Sequence, residues 1–350
     1  MAAFTEGTPC WVDAQLPDLE AGKRFYGELF GWTFDADRDE ALSDGERVAG
    51  LLPKRDGRMP TTWTVYLATS DAGTLAARIK AAGGRMIMEP YPVGPFGVMA
   101  LAADPGGAVF GLRQTGEDDG FEKTMRPGSF CWMEVYTRER DAVDTFYASV
   151  FGYLGRQIEA AEEGRDSGFD YRVWSPPGSR SEQDTAFGGR AVLTEAFPAA
   201  MPGHILVYFA VRDCDETCAT AVRLGGRVTN PPFDTPHGRI AVLHDNQGAR
   251  FAVLAEPTAA DPPAGPAEAA AEPGAGLESE SASASEGTVP ADSDAPGTPD
   301  ASEARDTPGG APGTGTGPVR GAGTGPGSAD GPRPAPGPGS PAGGEPGEMR

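Results

Sequence analysis

The stretch Gly7–Trp32, GTPCWVDAQLPDLEAGKRFYGELFGW, returns 121 residues later as GSFCWMEVYTRERDAVDTFYASVFGY, beginning at Gly128. At that offset Cys10-Trp11 aligns with Cys131-Trp132, Phe25-Tyr26 with Phe146-Tyr147, and Phe30-Gly31 with Phe151-Gly152. Asp13 meets Glu134, so the acidic position is kept as well. So mixed a pattern does not recur by chance, and a chain that carries it twice folds as two similar units. A fainter repeat of 53 residues lies within the first unit, taking Trp11 to Thr64, Asp18 to Asp71 and Gly31 to Gly84. Each unit therefore reads as a pair of smaller modules.

Each copy predicts a strand, a turn and a helix. Residues 10–15 and 131–136 alternate in character, as a strand with two different faces requires. Period-2 logic places Trp11, Asp13 and Gln15 on one face and Cys10, Val12 and Ala14 on the other. In the second copy Trp132, Glu134 and Tyr136 share a face. Asp18 follows Pro17 as an N-cap, its short carboxylate accepting from free backbone N–H groups. Phe25, Tyr26, Leu29 and Phe30 then recur at helical spacing, and Gly31 and Gly152 stop the two helices. Further on, short strands are expected at 32–35 and 47–52 around a polar loop at 37–45, with a weak strand near Met59. A strand at 62–68, a helix from Asp71 to Gly83-Gly84, and strands at 85–89, 97–102 and 108–113 complete the unit. The last of these follows the turn Asp104-Pro105-Gly106-Gly107, repeated as Asp245-Asn246-Gln247-Gly248. By Val207-Tyr208 the offset has grown from 121 to 142, so about 21 extra residues lie between Tyr153 and His204. These include 175–178 and Gln183-Asp184 and read as surface loop.

Composition divides the 350 residues near Glu256. Residues 257–350 hold no aromatic residue and no lysine, and they cannot bury enough apolar surface to offset the entropy of ordering. A disordered acidic tail is expected there. The expected domains are 1–116, a linker at 117–126, and 127–256. The tail carries a net charge of −10 and the rest −12, which disfavours nucleic acid or an anionic membrane as partner. The sequence shows no signal peptide and no apolar run long enough to span a bilayer, so a cytoplasmic location is expected. The four cysteines fit a reducing interior: Cys10 and Cys131 opposite the Trp face, Cys214 and Cys218 on one face of a helix, all as core.

Asp18 with Phe25-Tyr26 seven residues on, the Phe30-Gly31 helix end, and the Asp104-Pro105-Gly106-Gly107 turn resemble the vicinal oxygen chelate superfamily. That group includes glyoxalase I, bleomycin-resistance proteins and extradiol dioxygenases. The resemblance covers residues 6–114 and 127–255. It implies an α+β fold of two tandem domains, each of paired βαβββ modules whose sheets curl around a cavity. It also implies metal ligands at three positions per domain. By register these fall on Trp11, Thr64 and Gly111, and on Trp132, Leu206 and Ala252. None offers an imidazole or a carboxylate, so no metal cofactor is expected.

Two indoles then stand in the ligand register. Either they fill space, or they wall a pocket for an aromatic or cationic small molecule. Asp13 and Glu134, further along the same face, would be its placed polar groups, or would pair with Arg113 and Arg250 on the last strands. Tyr66, Tyr208 and His204 lie on the neighbouring strand face. The expected ligand-binding set is Trp11, Asp13, Tyr66, Trp132, Glu134, His204 and Tyr208, in a monomer of two pseudo-symmetric domains that sequesters or senses a small organic molecule. The alternatives are a glyoxalase-type lyase, isomerase or oxygenase using Asp13, Glu134 and His204 as shifted donors, and a scaffold with filled cavities and a partner-recruiting tail.

Overall fold

The computed structural model describes residues 4–35, 38–116, 120–158, 170–179, 185–195 and 197–257. The acidic tail, Gln183 and Asp184 lie outside the described residues. The first repeat gives strands β1 (Pro9–Leu16), β2 (Thr33–Phe34), β3 (Glu40–Ser43), β4 (Glu46–Pro53), β5 (Trp63–Thr69), β6 (Arg85–Pro92), β7 (Gly97–Ala103) and β8 (Val109–Thr115). Helix α1 (Leu19–Phe30) follows β1 and α2 (Ala72–Ala81) follows β5. The second gives β9 (Phe130–Thr137), α3 (Arg140–Phe151), β10 (Leu154–Ile158), β11 (Tyr171–Ser175), β12 (Gly188–Val192), β13 (His204–Val211), α4 (Cys214–Arg223), β14 (Arg227–Thr235), β15 (Gly238–His244) and β16 (Arg250–Ala255).

Each repeat builds one eight-stranded mixed sheet, and the two strand orders match: β2-β3-β4-β1-β5-β8-β7-β6 and β10-β11-β12-β9-β13-β16-β15-β14. The 53-residue repeat is the reason. The module strands β1 and β5 pair antiparallel at the centre, and each pairs in parallel with its own last strand, β4 or β8. The α+β class and the tandem arrangement are as the sequence implies. Asp18, Asp71 and Asp213 cap their helices by accepting from the N–H groups of Ala21, Thr74 and Glu216. Gly31 and Gly152 end α1 and α3 at φ of 73° and 72°, a conformation that glycine adopts without a steric penalty.

The sheets face each other across their helix-bearing sides, within one compact unit. Phe209 of β13 lies 5.0 Å from Trp63 of β5, Phe30 of α1 lies 5.2 Å from Phe209, and Phe146 of α3 lies 6.3 Å from Phe110 of β8. The Tyr26 hydroxyl accepts from Trp63 Nε1 at 3.0 Å and donates to Asp245 Oδ2 at 2.9 Å. Its counterpart Tyr147 donates to Asp104 Oδ2 at 3.4 Å. Thus the aspartate that opens each β-turn is bonded across the interface by the tyrosine of the opposite repeat.

Several expectations change. The loop at 37–45 contains β3, and Met59 is exposed in a connection with no strand. The span after Tyr153 carries β10–β12, the counterparts of β2–β4, and of the extra residues expected as loop, 176–178 lie between β11 and β12. The presumed linker is fastened to the first sheet over residues 120–126. There Phe121 N–H donates to Cys10 O at 2.9 Å, Arg47 pairs with Glu122 at 3.0 Å, and buried Lys123 reaches Ser43 and Asp44. Finally, the pairing register slips at Cys10 and again at Cys131. Such a bulge breaks the two-residue alternation. Cys131 therefore packs with Leu206, Tyr208, Ala210 and Ala252 on the Trp132 side, not opposite it. All four cysteines are free and buried.

Candidate functional site

The face of each sheet away from the helices carries every residue singled out from the sequence. Along the first sheet Trp11 stands level with Tyr66, and Tyr66 with Gly111; Asp13 stands level with Thr64. The second sheet repeats the row as Trp132, Tyr208 and Ala252, with Glu134 beside Leu206. The metal register is thus occupied by groups that offer neither an imidazole nor a carboxylate. At Gly111 a Cβ would lie 2.1 Å from Cδ1 of Tyr66, so the tyrosine ring takes the space a longer side chain would need. Among the described residues no three His, Cys, Asp or Glu side chains are grouped so as to hold a metal. The residues present do not fit the divalent ion of the superfamily.

In the first half this face is closed. Trp11 and Tyr66 are each 5% exposed. The Trp11 indole lies under Phe121 of the strap, ring centroids 5.7 Å apart, and Phe4 adds an edge contact to Phe121. Arg113 sits 5.1 Å over the Trp11 ring, a cation–π contact in a dry setting. Asp13 is buried beside them, bonded by Tyr66, with Oδ1 lacking a hydrogen-bond partner. Burial pushes its pKa from 3.8 up to about 7, against the opposing pull of the Tyr66 bond and the Arg113 charge.

In the second half the corresponding face is partly open, with Trp132, Glu134, Tyr136 and Tyr171 all half-buried. The Glu134 carboxylate is the hub. Oε2 accepts from Tyr136 at 2.8 Å and from Tyr208 at 2.6 Å, and Tyr171 bonds the same carboxyl group. Tyr171 in turn accepts from Trp132 Nε1 at 2.9 Å. Burial raises the Glu134 pKa, while the three hydroxyls and the charge of Arg250 oppose the shift. The result is a carboxylate fenced by four aromatic rings, an arrangement that suits a cationic or flat aromatic group.

His204 borders this cluster, its ring stacked on Tyr136 at 5.0 Å and 3°. Its two nitrogens are both engaged. Nδ1 lies 3.0 Å from the Pro202 carbonyl, so it carries the proton; Nε2 accepts from Arg250 Nη1 at 3.1 Å. Burial, opposed by the Pro202 hydrogen bond and aided by the Arg250 charge, lowers the His204 pKa and keeps the ring neutral near pH 7. With its lone pair used, His204 is not available as a shifted metal donor. Asp13 belongs to the other half, so the three donors of the enzyme alternative never meet.

The structure therefore sorts the seven residues into two clusters: Trp11, Asp13 and Tyr66 in one, and Trp132, Glu134, His204 and Tyr208 in the other. Sequence reasoning missed Tyr171, which lies on a strand whose counterpart in the first sheet carries no aromatic residue, and Phe121, which lies in the strap. Tyr136 was placed on the correct face but given no role; its position two residues after Glu134 was the available signal.

A profile of the Glyoxalase/Bleomycin resistance protein/Dioxygenase superfamily matches residues 11–112. The chain is 38% identical to the anthracycline biosynthesis protein DauV of Streptomyces sp. (strain C5), over 75% of this chain and 99% of that protein. It is 35% identical to a putative glyoxylase, CFP32, of Mycobacterium bovis, over 72% and 95% of the two chains. Among solved structures, the Mn(II)-bound glyoxalase of Novosphingobium aromaticivorans shares 16% identity at a TM-score of 0.48, over 72% and 84%. With relatives matched along almost their whole length, the chain belongs to the glyoxalase/bleomycin resistance protein/dioxygenase superfamily.

Proposed function

We propose that this is a small-molecule-binding member of the superfamily whose working site is the inner face of the second half, without a metal. The observation that carries the reading is the asymmetry between the halves. Trp11 is sealed beneath Phe121 and Asp13 is buried beside it, whereas Trp132 and Glu134 occupy the same positions half-buried and ringed by Tyr136, Tyr171 and Tyr208. A ligand with a flat aromatic body or a cationic amine would stack on the rings and place its charge or donor at Glu134, in sequestration or sensing. Relatives named for anthracycline biosynthesis support a role with an organic small molecule.

The test is a thermal-shift screen of aromatic amines against the full chain, followed by titration of tryptophan fluorescence. Trp132→Phe should abolish most of the fluorescence response, and Glu134→Gln should weaken cationic ligands at least about tenfold, the loss of one charge-assisted contact. Trp11→Phe should change neither. Elemental analysis of protein prepared without a histidine tag should find no stoichiometric zinc, iron, manganese or nickel. About one such ion per half, lost in EDTA together with thermal stability, would overturn the reading and favour a glyoxalase-type enzyme.

A further inference from the structure

A second pocket lies where the two halves meet, reached from the Glu134 cluster through His204 and Arg250. Its volume is about 210 Å³, well above the roughly 10–15 Å³ that a single water needs. The connection before β5 forms one wall with Pro60, Thr61 and Thr62, and the start of β13 forms the other with Met201, Pro202 and Leu206. Arg250, the first residue of β16, lines it too. These walls are largely apolar, and no carboxylate lines them.

Arg250 is the informative group. The chain holds 51 acidic residues against 29 Lys and Arg, and several of its guanidiniums are paired with carboxylates. Arg190 meets Asp144 and Asp170, Arg239 meets Asp215 and Asp234, and Arg126 meets Glu46. The one hydrogen-bond partner of Arg250 among the described residues is the neutral imidazole of His204, and its Nε is buried without an acceptor. Glu134 feels its charge but is bonded by tyrosines. A guanidinium offers five donors in a planar fork, and leaving a buried one unmet is costly. His204, locked by the Pro202 carbonyl, holds the fork in place. On the opposite wall Thr61 accepts from Lys54 Nζ at 3.1 Å, which leaves its own hydroxyl proton free to donate.

We infer that this inter-half pocket binds a small amphipathic carboxylate, its head group on the Arg250 fork and its apolar body against Pro60, Met201, Pro202 and Leu206. The inference does not depend on the aromatic face around Glu134, which takes the opposite charge.

The experiment uses the full chain with 13C-methyl-labelled methionine. Benzoate and hexanoate are titrated while the Met201 methyl and the Trp132 indole N–H are followed, with benzamide and inorganic phosphate as controls. Both carboxylates should shift Met201 saturably and leave Trp132 in place. Benzamide, the same shape without the charge, should not bind. Arg250→Gln should weaken benzoate at least about tenfold, and Arg250→Lys, which keeps the charge but not the fork, by a smaller factor. Circular dichroism establishes that each variant is folded; were Arg250→Gln to misfold, Arg250→Lys alone would decide. No saturable shift, equal affinity in the arginine variants, tighter binding of phosphate or benzamide, or a response at Trp132 instead of Met201 would each overturn the proposal. The last result would still leave the aromatic-face reading standing.

Discussion

Asp13→Asn should make the protein's stability markedly less dependent on pH, and the size of the effect can be worked out. Asp13 is 2% exposed and its Oδ1 has no hydrogen-bond partner, so ionisation in place is costly. Its pKa rises from 3.8 to about 7 on folding. A folded pKa above the unfolded one means that the native state holds the proton more tightly. Stability is then fully present below the unfolded value and falls as pH climbs towards the folded one. At about 1.4 kcal/mol per pH unit, the decline from Asp13 between pH 5 and pH 8 is roughly 3 kcal/mol. Asp104, Glu134 and Asp245 are also raised by burial, so the wild-type slope includes their share in the same direction. The difference between wild type and Asp13→Asn cancels that share. Asparagine mimics the protonated acid, so the two proteins should converge only below the unfolded value of 3.8; the variant should already be the more stable at pH 5, and its lead should widen by roughly 3 kcal/mol at pH 8. Urea denaturation at fixed ionic strength, with equal m-values, measures this. A difference that stays flat from pH 5 to pH 8 would refute the reasoning, because Asp13 would then titrate alike in the folded and unfolded chain.

Three further outcomes are expected. Gly111→Ala should destabilise by roughly 1–3 kcal/mol, because the new methyl meets the Tyr66 ring, and its effect should be non-additive with Tyr66→Ala in a double-mutant cycle. Phe121→Ala should expose Trp11, seen as a red-shifted, more quenchable tryptophan emission; unchanged emission would mean that Phe121 is not the seal. Tyr26→Phe should cost about 1–3 kcal/mol by urea melts, since it leaves buried Asp245 without its cross-interface donor.

The duplication, the strand–helix order and the inner faces were legible because each rests on a local pattern stated twice. Trp11 and Asp13 share a face for a reason as simple as the two-residue strand period. What remained hidden was whatever depends on contacts across long separations. Phe121 covers Trp11 although 110 positions separate them, and nothing in the charged strap around it distinguishes a lid from a linker. Tyr171 reaches Glu134 from β11, whose counterpart in the first sheet, β3, carries no aromatic residue to point to it. The bulge at Cys131 is invisible to period-2 reasoning, which assumes that alternation is never broken. The difference between a sealed half and an open one is likewise a property of the assembled pair, since two aligned segments look equivalent until one of them acquires a lid.

The pairing of Tyr26 with Asp245 and of Tyr147 with Asp104 explains why these two residue types occur in both copies although neither bonds its neighbour in sequence. Within either half the tyrosine and the aspartate serve the other half. Asp245 also fixes its own turn by accepting from the Gln247 and Ala249 N–H groups, each at 2.8 Å, and the Gln247 side chain then clasps the backbone of Asp18. One half therefore exposes, when alone, both a donor and an acceptor of this lock, together with aromatic rings such as Tyr26, Phe30 and Trp63. A surface that carries both members of a reciprocal contact is complementary to itself about a two-fold axis. Residues 1–127 expressed alone should accordingly form a homodimer in which Tyr26 of each copy bonds Asp104 of its mate. Sedimentation velocity should show a concentration-dependent dimer, and Tyr26→Phe with Asp104→Asn should shift it to monomer. A well-folded monomer at all concentrations would show that the aromatic faces can be buried within one half, and the reciprocal lock would then be a consequence of the tandem arrangement, not its cause.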